Sequence, residues 1–415
     1  MIMKHAFYSL LASTSLMLTA CSTDTPDSER VEQSAASAMA EVQDAVSTVG
    51  SRVESVTGII NAAADWQLAH MEDFESYVPS LVKRTNEPRG WVQGTFYLGL
   101  ARWAMATDNE QYLDYLRAHG DQEGWELGPR IYHGDDHVIA QYYLHIYEQD
   151  KKSEQIEPLV KVFEEILTNQ PTSSLDFGPR GKYADQDYDH DCQKRWCWSD
   201  ALFMSPPVWF HLSQLTGDQK YAEYAHREFK DVTDYLFDNN DDLYVRDSRF
   251  FERREENGQK IYWSRGNGWV YAGLTKIMDT LDPADARHDY YASIFKRMSK
   301  SLAAKQGDAG YWPVSLAAGE LYTVPESSGT AFFIAGLAWG VNNGLLAADE
   351  YMPVIVKGWD ALRAAQKDDG MLGFVQQIGY APDRVSPDET HLYGAGAFLL
   401  AGTQMLELAE KGIYQ

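Results

Sequence analysis

Apolar positions in this chain recur with a helical period, and one layout returns six times. A polar or glycine-bearing segment leads into a stretch of small and apolar residues. A loop follows, then an amphipathic stretch. The leading segments read RGWVQG (89–94), HGDDHV (133–138), WCWSD (196–200), SRGNGW (264–269), ESSGTA (326–331) and DETHLYGAG (388–396). They lie roughly 45 to 70 residues apart. The stretches VQGTFYLGLARWAMA and ALFMSPPVWFHLSQL are apolar all round, as expected of inner helices packed on every side. Each precedes a segment of the form T-x-x-[EQ]-x-Y-x-[DE]-Y, at 107–115 and 216–224. Its first four residues read as a capping box, with Thr107 and Thr216 as N-caps of the second helices. The pattern predicts an all-α protein without strands: six helical hairpins closed into a ring, six helices inside and six outside. Closure covers every apolar face without terminal caps, and the leading segments converge at one mouth.

Before this domain the pattern changes. Lys4 and His5 precede an apolar run from Ala6 to Ala20, and Leu18-Thr19-Ala20-Cys21 resembles a bacterial lipoprotein box. Residues 1–21 are therefore expected to be a signal peptide with Cys21 as lipid anchor. Ser22 after the cysteine resembles the pattern sorted to the outer membrane, so the expected location is periplasmic or outer-membrane, on a lipid anchor. The other reading is an ordinary signal peptide with an incidental cysteine. Residues 22–58 read as linker and amphipathic tether, and 59–415 as the catalytic domain. In the tether Met39, Val42, Val46, Val49, Val53, Val56 and Ile60 alternate by three and four. They form either a self-associating stalk or, preferred for want of matched flanking charges, a helix lying on the main domain.

The net charge of −25 excludes a nucleic-acid partner, which needs basic surface. It also means that an anionic ligand needs a local basic patch. The segment YVRDSRFFERR supplies one, and Arg246 and Arg249 stand apart from the acids that neutralise Arg253 and Arg254. Cys192 and Cys197 are either paired or free. Asp187, Asp189, His190 and Asp191 lie beside them, but a single histidine at this spacing is a poor zinc signature, and no metal or cofactor is expected.

Chemistry is expected at the mouth. HGDDHV offers Asp135 and Asp136, and WCWSD offers Asp200 between tryptophans and an apolar run. Paired carboxylates in a poorly solvated pocket repel, and one keeps its proton, giving an acid and a base from one residue type. Such pairs serve glycoside chemistry. Asp200 alone is equally explained as a helix N-cap. Arg265 offers a fork for a carboxylate and Trp269 a stacking face, or both belong to a glycine-permitted loop.

WCWSDALFMSPP, WSRGNGWVYAGL and SSGTAFFIAGLAWGV resemble glycoside hydrolase family 105, the unsaturated glucuronyl and galacturonyl hydrolases related to family 88. The resemblance covers nearly everything after residue 60 and implies an (α/α)6 barrel. It implies hydration of the C4=C5 double bond that polysaccharide lyases leave in the terminal uronic acid. Protonation at C4 is followed by water at C5, and the hemiketal opens to release the chain. By motif match Asp200 is the acid/base and Asp135, or its neighbour Asp136, the partner. Trp198, Trp269, Arg265 and His137 fall in substrate-binding segments. Where many members have histidine this chain has Arg246, which suits a further anion on the neighbouring sugar. That points to glucuronyl-rhamnose fragments of a sulfated polysaccharide such as ulvan. The competing readings are an unsaturated rhamnogalacturonyl hydrolase acting on pectin fragments, a sugar 2-epimerase using His133, His137 and His391, and a non-catalytic glycan-binding lipoprotein. The expected partners are an anionic oligosaccharide and a membrane reached through the lipid.

Overall fold

The computed structural model describes residues 26–73, 87–178 and 190–414, with side chains from residue 47. Cys21 and the signal segment, and Asp187 and Asp189, lie outside the described residues. The chain divides into two compact units, Met1–Gly50 and Ser51–Gln415. Helix α1 spans Pro26–Ala69. No helix among the described residues is long and apolar enough to cross a membrane.

Within the second unit six helices run from the mouth to the far end: α2 (Trp91–Thr107), α5 (Ile139–Asp150, led by a short α4, Gly134–His137), α8 (Pro206–Thr216, led by α7, Ala201–Met204), α10 (Ser264–Met278), α12 (Ser327–Asn342) and α14 (Leu392–Glu410). Each touches the next, and α14 touches α2, so the inner ring is closed. The outer helices are α3 (Glu110–Gln122), α6 (Glu157–Thr168), α9 (Gln219–Leu236), α11 (Ala286–Ala304) and α13 (Ala348–Ala365). The sixth outer position is filled by residues 51–69 of α1, and the barrel is an (α/α)6 ring. Its last inner helix thus pairs with the first outer one. Val56 and Ile60 are fully buried there. Tyr112 donates to Asp65 (2.6 Å), Trp103 to Asn61 (2.8 Å) and Gln366 to the Ile59 carbonyl (2.9 Å), so α1 is tied to helices from both ends of the domain.

The inner helices close tightly because small residues lie where they cross. A Cβ on Gly99 of α2 would come within 2.4 Å of the Gly396 carbonyl oxygen on α14, and one on Gly396 within 2.4 Å of the Thr95 oxygen. Only hydrogen side chains let the two backbones meet, and this is where the ring joins its last helix to its first.

Two local expectations are corrected. Helices α3 and α9 begin at the repeated segments, but the N-caps are Asn109 and Asp218, each accepting from a backbone amide two or three residues on. Thr107 and Thr216 end the preceding helices and donate to carbonyls four residues back. Thr-to-cap spacing is short enough that one polar cluster closes one helix and opens the next. The chain also has strands: β1 (Phe237–Asp238) and β2 (Leu243–Tyr244) form an antiparallel hairpin. Two-residue strands are too short to show a period of two. The hairpin turns the chain from α9 back to the mouth and delivers Arg246.

Candidate active site

Asp200 sits where the chain enters α7, in the position of an N-cap, yet its side chain makes no capping bond. The carboxylate instead accepts from Ser199 Oγ (3.0 Å) and lies 3.5 Å from Arg246 Nε. Only 7 % of the residue is exposed, and burial raises its pKa; Arg246, Ser199 and Arg265 oppose that shift without cancelling it. Capping does not explain this aspartate.

The partner segment resolves into two unlike acids. Asp136 is buried and held by Arg130, whose backbone amide donates to Oδ2 (2.7 Å) and whose guanidinium donates to Oδ1 (2.6 and 3.1 Å). Asp135 has no such clamp. Its pKa is pushed up to about 7, first by burial and then by the negative charges of Asp136 and Asp200, against Arg130 and Arg246. Gly134 brings the two acids' elements together: a Cβ there would lie 3.3 Å from the Ala201 Cβ. Asp135 and Asp200 therefore sense each other across adjacent helix starts, and both resist ionisation. His133 caps α4 through Nδ1, 3.3 Å from the Asp135 amide, and its ring lies 4.9 Å from Trp198.

Arg246 and Arg249 share one acid. Asp247, fully buried, accepts from Arg246 (2.6 Å) and from Arg249 (2.8 and 2.9 Å). Burial pushes its carboxyl up, but the two guanidiniums hold it below the usual range. Arg246 is thus not the unengaged cation that the sequence suggested. Two cations on one anion nonetheless leave a net positive charge beside Asp200 in an acidic protein. Arg249 lies 3.8 Å above the Phe177 ring and is 31 % exposed, so it faces solvent on this side.

Three substrate-binding candidates are placed differently from expectation. His137 is fully buried, bonded to Ser205 Oγ (2.6 Å) and the Ile131 carbonyl (2.7 Å), so it braces the wall. Trp269 is 1 % exposed among Phe203, Phe332, Trp91 and Tyr393, which leaves no open ring face for a sugar. Arg265 is 1 % exposed and donates to the carbonyls of Gln376 (2.5 Å) and Gln377 (2.8 Å) between the rings of Trp263 and Tyr393. It reaches buried Glu326 only through Ser328, whose hydroxyl also bonds Glu326 (2.5 Å). Its guanidinium fixes the 376–377 loop over the mouth. Trp198 is 3 % exposed beside His133.

Cys192 and Cys197 are joined in a disulfide with Cα atoms 5.5 Å apart, so neither offers a thiolate to a metal. The loop it closes holds Trp196 in the left-handed region (φ +56°), and the chain then turns into Trp198 and Asp200. The mouth histidines are not arranged as epimerase bases: His137 is braced as above, and His391 is buried, accepts from the Leu392 amide and stacks on Tyr393. Sequence reading missed Ser199, Arg130 and Asp247. Their signal was adjacency: Ser199 and Asp247 directly flank Asp200 and Arg246, and Arg130 approaches the same short helix as Asp136.

A family model described as Glycosyl Hydrolase Family 88 matches residues 59–409. An unsaturated 3S-rhamnoglycuronyl hydrolase of Alteromonas sp. (strain LOR) is 39% identical over 398 residues, 94% of this chain and 95% of that protein. Another of the same name, from Formosa agariphila, is 35% identical over 334 residues, 78% of this chain and 86% of that protein. The solved structure of a glycosyl hydrolase family 88 protein from Bacteroides vulgatus superposes with a TM-score of 0.73 at 28% identity, covering 85% of this chain and 99% of its own.

Proposed function

This chain belongs to glycosyl hydrolase family 88, and on that premise we propose that it removes the 4,5-unsaturated uronic acid from lyase-generated oligosaccharides by hydrating the C4=C5 bond. It is a glycoside hydrolase, which sets aside the epimerase and the non-catalytic glycan binder. Within the related families, the motifs around Asp200 and Arg265 favour family 105.

The observation that carries the mechanism is a buried carboxyl at a helix start that caps nothing, beside a second carboxyl with a raised pKa. Asp200 gives its proton to C4 of the vinyl ether. Positive charge builds at C5 and is shared with the ring oxygen. The ionised Asp200 then takes a proton from the water that adds at C5. The hemiketal so formed opens and releases the remaining sugar. Asp135 holds the pair at one shared proton, so that an acid is present near neutral pH. Arg246, 3.5 Å from Asp200, stabilises the carboxylate that proton transfer creates.

For the neighbouring sugar we read the pair Arg246 and Arg249 around Asp247 as a seat for an added anionic group, a sulfate on rhamnose, as in ulvan fragments. The net positive charge of that trio in a chain of charge −25 supports this, as do relatives named as rhamnoglycuronyl hydrolases. Among the described residues, no feature of the mouth favours the pectin-derived alternative. Arg249→Ala tests it without touching Asp200. Losing a charge-assisted bond to a bound anion costs ~1.5–3 kcal/mol, or roughly tenfold to a hundredfold in kcat/KM. That loss is expected on sulfated fragments and not on their desulfated counterparts, followed through the ultraviolet band of the double bond. An equal loss on both overturns the sulfate reading.

A further inference from the structure

At the end of the barrel opposite the mouth, three donors from two neighbouring inner helices meet. His145 and Glu148 stand three residues apart on one face of α5, and His211 reaches across from α8. Glu148 Oε2 lies 3.1 Å from His145 Nδ1 and 3.4 Å from His211 Nε2. All three donor atoms fall within 4.8 Å of one another. A tetrahedral ion with bonds of about 2.0–2.1 Å has donor-to-donor edges of about 3.3–3.4 Å, so two edges are already near their length.

We propose that His145, Glu148 and His211 hold a zinc ion that clamps α5 to α8. Two imidazoles and one carboxylate are a donor set that zinc takes with an open fourth position. The cluster borders a cavity of about 130 Å³, lined also by Gln141, Gln214 and Thr280, which gives a water room in that position. Arg102 and Lys276 line the same cavity and share Asp279, at 3.8 and 3.4 Å, which offsets one of their two charges there; Glu148 supplies the negative charge on the ion's side. His145 and His211 lie 10 and 11 residues further along the inner helices than Asp135 and Asp200, which stand at the helix starts. The ion would join two inner helices away from the mouth, and hydration at the mouth does not use it. Sequence spacing hid it, because the third ligand is 66 residues from the first.

The test is zinc titration by calorimetry on the chelator-treated full chain without an added tag. One ion per chain is expected, with a rise in Tm and, for cobalt in its place, the visible absorption of a four-coordinate ion. Glu148→Gln and His211→Gln should each weaken binding about a hundredfold or more, beyond what loss of an outer partner costs. Asp135→Asn should leave binding unchanged, and chelation should leave turnover unchanged. If His211→Gln does not fold, Glu148→Gln, at a partly exposed position, carries the comparison. Absence of saturable binding means the carboxylate merely accepts hydrogen bonds from two histidines, and the proposal fails. It fails equally if binding survives Glu148→Gln, or is lost in Asp135→Asn.

Discussion

Asp135 and Asp136 are adjacent in sequence and opposite in circumstance, and substitution should separate them. Asp136→Asn breaks a part-buried ion pair and leaves Arg130 without its acid. Stability should fall by about 1–3 kcal/mol in denaturant unfolding, with turnover of the folded fraction largely kept. Asp135→Asn should do the reverse. The raised folded pKa of Asp135, about 7 against an unfolded value near 4, means the folded state binds the proton more tightly. Wild-type stability is therefore lost as pH rises from about 4 to 7. The Asn variant escapes this, so its Tm advantage should grow across that window and persist above it, while turnover drops. An advantage that shrinks with rising pH would contradict the assignment. Arg246 belongs to the same argument. Because it holds the Asp200 pKa down, Arg246→Gln should move the alkaline limb of the kcat/KM profile to higher pH as well as lower its height. The sequence identified these acids by type and motif. It did not show which of the two adjacent aspartates was clamped, since that depends on Arg130 folding back over a four-residue helix.

At the scale of elements, the outcome turns on how the ring is closed. The six leading segments and the inner helices were legible, because small and apolar residues all round mark a helix packed on every side. The sixth outer helix was legible only in part: Val53, Val56 and Ile60 marked a helix lying on the main domain, but its place as a stave was hidden because its sequence stands at the other end of the chain, inside what reads as a tether. Ile60 locks α1 against Gly402 of α14 and is fully buried. Ile60→Ala should lower stability by ~2–5 kcal/mol, as for other fully buried aliphatic truncations. A loss below 1 kcal/mol would mean α1 is not an integral stave. The turn into Asp200 makes a second case. Its disulfide closes a short loop, for which the chain-entropy estimate is about 2 kcal/mol. Cys192→Ser with Cys197→Ser should lower stability by about that amount and keep turnover, and that turnover should not depend on chelators. Pairing could not be read from spacing, since it rests on the left-handed turn at Trp196.

At the scale of the whole molecule, a chain of net charge −25 carries at its mouth two arginines, Arg246 and Arg249, on the one carboxylate of Asp247, and the chain is proposed to reach a membrane through Cys21. Cys21→Ser should release the protein from the membrane fraction and abolish labelling with radioactive palmitate; continued labelling would refute the anchor. The all-α ring was legible from periodicity alone, and the reaction became legible through three motifs. Polar interiors were not. His137, Trp269 and Arg265 lie in the expected segments, but packing turned them inward to brace the walls. Residue type and position along a helix do not reveal which face a neighbour will cover. The central claim is that the Asp200 proton drives hydration. Asp200→Asn keeps shape and loses that proton, and it is measured by decay of the double-bond absorbance on a lyase-generated unsaturated oligosaccharide. The account predicts a folded variant with undiminished Tm that still binds the oligosaccharide and whose kcat falls by at least about a hundredfold. A folded variant that keeps a tenth or more of the wild-type rate would contradict it.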